Sequence, residues 1–208
     1  MFGTQDLVLF LTSAILLNLT PGQDTFYILG RSIAQGRRAG MLSVLGITSG
    51  CGVHTFAAAF GLSAILATSS SAFVVVKMLG AAYLVYLGVG LLFHRSTGAG
   101  LGSVPAHESG WAIYRAGFLT NVLNPKVALF FMAFLPQFVD PGSHSRVTAF
   151  AFLGGLFMFT GTMWCLVLVW CASAVSRHFR ENPSAGAIVK RAGGALFVGL
   201  GIRLAVAD

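Results

Sequence analysis

Two charged residues lie where a chain this apolar would be expected to have none. Asp24 comes three residues after Pro21 in Asn18-Leu19-Thr20-Pro21-Gly22-Gln23-Asp24. Lys126 directly follows Pro125 in Asn121-Val122-Leu123-Asn124-Pro125-Lys126. Each proline sits inside an apolar run long enough to cross a bilayer. Proline removes a backbone donor and breaks the helix, and inside lipid the freed carbonyls must find partners within the protein. Of the six acids, Asp6, Asp24, Glu108, Asp140, Glu181 and Asp208, only Asp24 falls inside such a run. An ionisable group at that depth is costly and marks a functional site by default. Asp24 also occupies the first turn of the half-helix after the break, where free amides and the helix dipole favour an anion, so a capping role competes.

Two arrangements of the pair are open. A direct Asp24–Lys126 salt bridge would lock the chain together. Alternatively, the two charges face a shared cavity and bind opposite ends of a zwitterion, the ammonium at Asp24 and the carboxylate at Lys126 with nearby half-helix amides. The candidate binding set is Asp24, Lys126, Asn18, Thr20, Asn121 and Asn124, with Pro21, Gly22 and Pro125 at the breaks. The Asn and Thr side chains are equally suited to satisfying freed backbone groups. Histidine is the side chain most suited to passing protons at physiological pH, so His54, with Asp24, is a candidate proton relay; the plainer role is a hydrogen-bonded interior residue.

The elements that must position these residues are membrane helices. The chain of 208 residues is 56% hydrophobic and only 9% charged, against about 25% charged in soluble domains. Six apolar runs of bilayer-spanning length cover approximately 7–30, 41–67, 73–93, 116–139, 147–175 and 187–206. The first cation is Arg31, so no cleavable leader is expected. Nine of the 13 Lys and Arg residues fall in or beside alternate loops: Arg31, Arg37, Arg38, Arg95, Arg115, Arg177, Arg180, Lys190 and Arg191. That is the positive-inside pattern, placing those loops in the cytoplasm and both termini outside. The net charge of +7 is therefore topological and is no sign of nucleic-acid binding.

The halves repeat. Residues 76–91, VKMLGAAYLVYLGVGL, match residues 189–204, VKRAGGALFVGLGIRL, at eight of sixteen positions. With a proline in spans 1 and 4, the chain reads as one transmembrane domain over 1–208, with repeat one at approximately 1–95, a Gly/Ser-rich linker at 96–110 and repeat two at approximately 111–208. Three spans per repeat is an odd number, so the second copy enters from the opposite side and the repeats are inverted. The expected fold is all-α: six transmembrane helices as two inverted three-helix repeats, with helices 1 and 4 broken. Gly46 and Gly50 form a G-x-x-x-G pair that lets helices approach closely, either for packing within the subunit or as a sliding surface between repeats.

Enzymatic signatures are missing: there is no Gly-x-Ser-x-Gly, no His-Glu-x-x-His and no Walker loop. The three cysteines, Cys51, Cys165 and Cys171, show no metal-binding spacing. No cofactor or metal is expected, and transport would draw on an ion gradient.

Several stretches carry a resemblance: LTPGQD near residue 20, GRRAGMLSVLGITSGCGVH at 36–54, KMLGAAYLVYLG at 77–88 and GFLTNVLNPKVALFFMAFLPQFV at 117–139. Through them the chain resembles the LysE/RhtB family of amino-acid exporters along essentially its whole length. The resemblance implies export of amino acids or related zwitterionic metabolites from the bacterial inner membrane, driven by protons. Its partners would be the small molecule, protons and the bilayer, with a homo-oligomer possible in principle. Family members often read Pro-Gly-Pro-Asp where this chain has Gln23, which softens the break and places a polar side chain beside the site. Two rival classes share the scaffold logic. A thiol–disulfide electron carrier would place cysteines in spans 1 and 4, which lack them here, although Cys51 and Cys165 occupy matched spans 2 and 5. A metal-cation exporter would need more ligands than Asp24 and His54.

Overall fold

The computed structural model describes residues 3–68, 108–140, 143, 145–172 and 174, with isolated helical positions between 71 and 92 and between 191 and 206. Most of the 76–91 and 189–204 match, the linker up to residue 107, and Arg95, Arg177, Arg180 and Lys190 lie outside the described residues. The described chain is helical apart from one antiparallel bridge between Thr4 and Val139.

Helix α1 (Leu7–Leu19) stops two residues before Pro21, and α2 (Gln23–Phe56) starts two residues after it. Inside α2, Gly36 has φ 81 and ψ 179, a conformation essentially restricted to glycine. The chain turns back there, bringing Gly40 against the Ser32 side chain. A π-helical stretch, Ala57–Leu62, leads into α3 (Ser63–Thr68). Helix α4 (Gly110–Val122) is capped by Ser109, whose hydroxyl accepts from the Ala112 amide at 3.2 Å. Helix α5 (Pro125–Leu129) carries proline in its first turn, where the missing amide costs nothing. It continues through a π-helical stretch, Phe130–Phe134, and a 3-10 turn, Leu135–Phe138. Across the Asn124–Pro125 step the axis bends by 43°. Helix α6 (Arg146–Trp170) follows.

Among the described residues two helical stretches are long and apolar enough to cross a membrane, Gln23–Ile65 and Arg146–Trp170, and the bent pair Gly110–Val122 and Pro125–Phe138 makes a third. Large apolar side chains such as Val8, Leu45, Phe56 and Phe159 point outward. In water that surface would be a liability; in a bilayer it is the solvent-facing side. Trp111 and Trp170 are also exposed, both at the end where Arg37 stacks on Trp170 at 4.6 Å. Indoles at one level fit a membrane interface. This is an all-α, multi-pass membrane protein.

The segments around the two prolines run antiparallel. The Gln5 amide donates to the Phe138 carbonyl at 2.9 Å. Lys126 reaches Thr20, and Asn121 reaches Asp24. Arg31 pairs with Glu108 at 2.7 Å. As numbering rises along one segment it falls along the other. Arg31, expected in a loop, instead lies within α2 with its side chain only 7% exposed. Its guanidinium lies over the Tyr27 ring at 5.4 Å, and Glu108 supplies the counter-charge. Arg37 and Arg38, also expected in a loop, lie within α2 just after the Gly36 kink and are exposed.

Two apolar clusters flank the middle of these segments. One is phenylalanine-rich, with Phe10, Phe130, Phe131, Phe134, Phe138, Phe150 and Phe157 all buried. The other gathers Ile28, Leu29, Val44, Ile47, Leu168 and Val169 toward the Arg31 end. The most extensive helix contact is between α2 and α4, and small residues make it. An added Cβ on Gly46 would collide with the Tyr114 carbonyl oxygen and lie 2.8 Å from the Phe118 amide nitrogen; on Gly117 it would lie 2.9 Å from the Ser43 carbonyl. The G-x-x-x-G pair thus packs within the subunit, between α2 and α4. Backbone cannot swing aside as a side chain does, so Gly46→Ala should destabilise by about 1–3 kcal/mol. A lowered melting temperature in detergent would show it. Gly52→Ala, whose Cβ meets only the Met158 methyl at 3.9 Å, should melt like wild type. Equal melting of the two variants would discount this contact.

Candidate functional site

Both breaks leave helix ends without intrahelical partners, and the chain satisfies them from across the molecule. The last turn of α1 presents the Leu17 and Thr20 carbonyls, and Lys126 donates to both, at 2.8 and 2.7 Å. The Thr20 hydroxyl, fully inside the protein, donates back to Leu16. At the second break, the Asn124 side-chain oxygen accepts from the Lys126 amide at 3.0 Å, an N-cap. The Asn121 carbonyl meets His54 Nε2 at 3.1 Å. A carbonyl only accepts, so Nε2 carries the proton in this contact.

Asp24 and Lys126, both described residues, do not form an ion pair with each other. One Asp24 oxygen accepts from Asn121 Nδ2 at 2.9 Å. Since a carboxylate accepts and cannot donate, this bond also fixes which way the Asn121 amide points. Lys126 and His54 remain near enough to act on Asp24 electrostatically. The direct salt bridge is thus replaced by two separate holdings, Lys126 by backbone and Asp24 by an amide.

A cavity of about 60 Å³ opens at this level, between α1, α2, α4, α5 and α6. Asn18, Gly22, Asp24, Asn121, Asn124 and Lys126 line it. Thr20, Pro21, Pro125 and His54 do not; they stand behind it, and His54 packs on Phe131 at 5.8 Å. Gln23 is exposed and takes no part in the lining. Apolar walls come from Leu17, Ile47, Val127, Phe157 and Met158. A Cβ added at Gly22 would lie 3.6 Å from Lys126 Nζ, an ordinary van der Waals contact.

The wall formed by α6 was not legible as part of the site. It supplies Gly161, Thr162, Trp164 and Cys165. Thr162 hydrogen-bonds Thr48 of α2 at 2.9 Å, and Asn18 donates to Thr160 at 3.4 Å. The available signal was the polar run Thr160-Gly161-Thr162 within an apolar span. Cys51 and Cys165 both line the cavity, unoxidised. Among the described residues no group of His, Cys, Asp or Glu is arranged to hold a metal ion.

Comparison with known proteins adds identity to this geometry. The family profile of the LysE type translocators matches residues 15–208. An uncharacterized membrane protein of Pseudomonas aeruginosa is 30% identical over 99% of this chain and 97% of its own. A leucine efflux protein of Klebsiella pneumoniae is 30% identical over 98% of this chain and 96% of its own. A leucine efflux protein of Salmonella typhimurium is 27% identical over the same shares. No solved structure matches the chain. A membrane-embedded cavity holding one carboxylate and one ammonium, in a chain that carries this profile over almost its full length, is that of a transporter rather than an enzyme, and the chain belongs to the LysE type translocator family.

Proposed function

We propose that this protein exports an aliphatic α-amino acid, leucine or a close analogue, from the cytoplasm across the bacterial inner membrane, coupled to protons. One observation carries the reading: among the described residues a single carboxylate, Asp24, and a single ammonium, Lys126, line one cavity whose other walls are uncharged. That set matches the two poles of a zwitterion and leaves no second acid for a cationic side chain. Lysine or arginine would bring a charge that nothing in the cavity neutralises, which is expensive at low dielectric. The leucine efflux proteins among the relatives support the aliphatic choice.

In this reading the substrate ammonium meets Asp24, and Asn18, Asn121 and Asn124 shape the rest of the polar wall. The cavity has room for roughly four to six water-sized groups, enough for the charged head of an amino acid but not its side chain. The structure therefore corresponds to a closed state, and Met158, a flexible side chain, yields as the substrate enters. The antiparallel segments around the breaks are the halves of an inverted repeat that rocks about this level. His54 touches the Asn121 carbonyl while Asn121 holds Asp24, so a proton arriving at His54 would be felt at the site through one residue.

Proteoliposomes test this. An imposed pH gradient should drive leucine movement, with lysine moving at under roughly a tenth of that rate, since an uncompensated charge costs more than the 1.4 kcal/mol that a factor of ten represents. Lysine moving as fast as leucine would overturn the aliphatic reading. Leucine movement indifferent to the pH gradient would overturn proton coupling.

A further inference from the structure

Trp164 differs from the other tryptophans of the described chain. Trp111 and Trp170 are 69% and 61% exposed. Trp164 is partly buried in the Ile28/Leu168 cluster and lines the cavity. Its Nε1–H is buried with no hydrogen-bond partner. An indole N–H only donates, and a buried donor left unpaired is disfavoured.

The other polar groups of the lining are largely engaged. Thr48 and Thr162 bond each other, and the Asn124 side-chain oxygen holds the Lys126 amide. Asn121 Nδ2 is given to Asp24, and Lys126 commits two of its three N–H groups to Leu17 and Thr20. Asp24 Oδ1 and Asn121 Oδ1 remain unpartnered acceptors, and Trp164 Nε1–H is an unpartnered donor. The other unpartnered buried side chains, namely Ser13, Arg31, Ser32 and Ser63, do not line the cavity. A ligand that completes this cavity therefore donates to Asp24 and Asn121 and accepts at Trp164.

We infer that Trp164 binds the substrate carboxylate through its indole N–H, sharing it with the one uncommitted N–H of Lys126. This rests on the amino-acid reading above and adds a specificity determinant to it: the site demands a free carboxylate. Amides of amino acids keep the ammonium and the side chain but offer a neutral, weaker acceptor. They bind poorly for lack of the charge-assisted bonds.

The test uses purified full-length protein and two probes, leucine and leucinamide, with binding measured by calorimetry. Trp164→Phe keeps an aromatic ring and removes the donor. A benzothienylalanine at position 164, in which sulfur replaces N–H, keeps the whole ring shape and so answers any doubt about folding. Both variants should weaken leucine binding about ten- to hundredfold, the range for a hydrogen bond to a charged group, and weaken leucinamide binding by clearly less, about two- to fivefold, since only a neutral bond is lost. Wild-type leucine affinity in the benzothienyl variant would overturn the assignment alone. Equal weakening of leucine and leucinamide would also overturn it, since that is the mark of a purely structural ring. Wild-type protein that binds neither leucine nor any other α-amino acid would overturn the amino-acid reading, and this assignment with it.

Discussion

Lys126→Met should cost this protein its fold before it costs it transport. Lys126 stands in for the missing amides of the broken helix, donating to the Leu17 and Thr20 carbonyls at 2.8 and 2.7 Å. A soluble protein would let water take over; within a bilayer the Thr20 carbonyl loses its lysine partner and the Leu17 carbonyl keeps only the Thr20 amide at 3.2 Å. Leaving the Thr20 carbonyl unpaired costs about 1–3 kcal/mol, and losing the stronger of the two bonds to the Leu17 carbonyl adds about 1 kcal/mol. For a chain of this size that is a melting temperature lower by on the order of 10 °C. Thermal unfolding in detergent would measure it. Lys126→Arg keeps charge and donors and should recover part of the loss. A methionine variant that melts like wild type would mean that Lys126 is not the strut its geometry implies.

Asp24→Asn should do the opposite, sparing the fold and abolishing transport. The asparagine oxygen still accepts from Asn121 Nδ2, which now holds Asp24 at 2.9 Å, so melting should stay within about 1 kcal/mol of wild type, the scale of one neutral hydrogen bond. What disappears is the only carboxylate in the cavity lining among the described residues. Losing a buried charge partner costs about 2–5 kcal/mol, so leucine transport in proteoliposomes at matched protein content should fall on the order of a hundredfold or more. Full transport by this variant would remove Asp24 from the site and leave the asparagines around the breaks as candidates. The double variant separates the roles. Because Asp24 and Lys126 are held by different partners, it should be as unstable as Lys126→Met alone. Recovery of stability on removing both charges would instead reveal a direct bridge.

Much of this protein was legible as a string of residues. A composition of 56% hydrophobic and 9% charged residues leaves no option but a membrane protein, because such a chain buries its surface only in lipid. Pro21 and Pro125 are helix breakers wherever they stand, and a lone acid at bilayer depth demands a reason. Those are local properties, and they located Asp24, Lys126 and the asparagines. Their partners were decided elsewhere. The sequence shows how deep a residue lies but not which way its helix is rotated, and rotation here depends on where backbones can approach: Gly46 and Gly50 against α4, Gly117 against α2. That packing turns His54 toward the Asn121 carbonyl rather than into the cavity, and it brings Asn121 to Asp24. Lys126 meets the end of α1, more than a hundred positions away in sequence, only because the two broken segments lie antiparallel. Trp164 joins the site because α6 closes over it. Arg31 likewise reads as a loop cation until Glu108 arrives to pair with it. Long-range contacts of this kind have no local signature, since each is fixed by the fit between helices and not by the residues on either side of it.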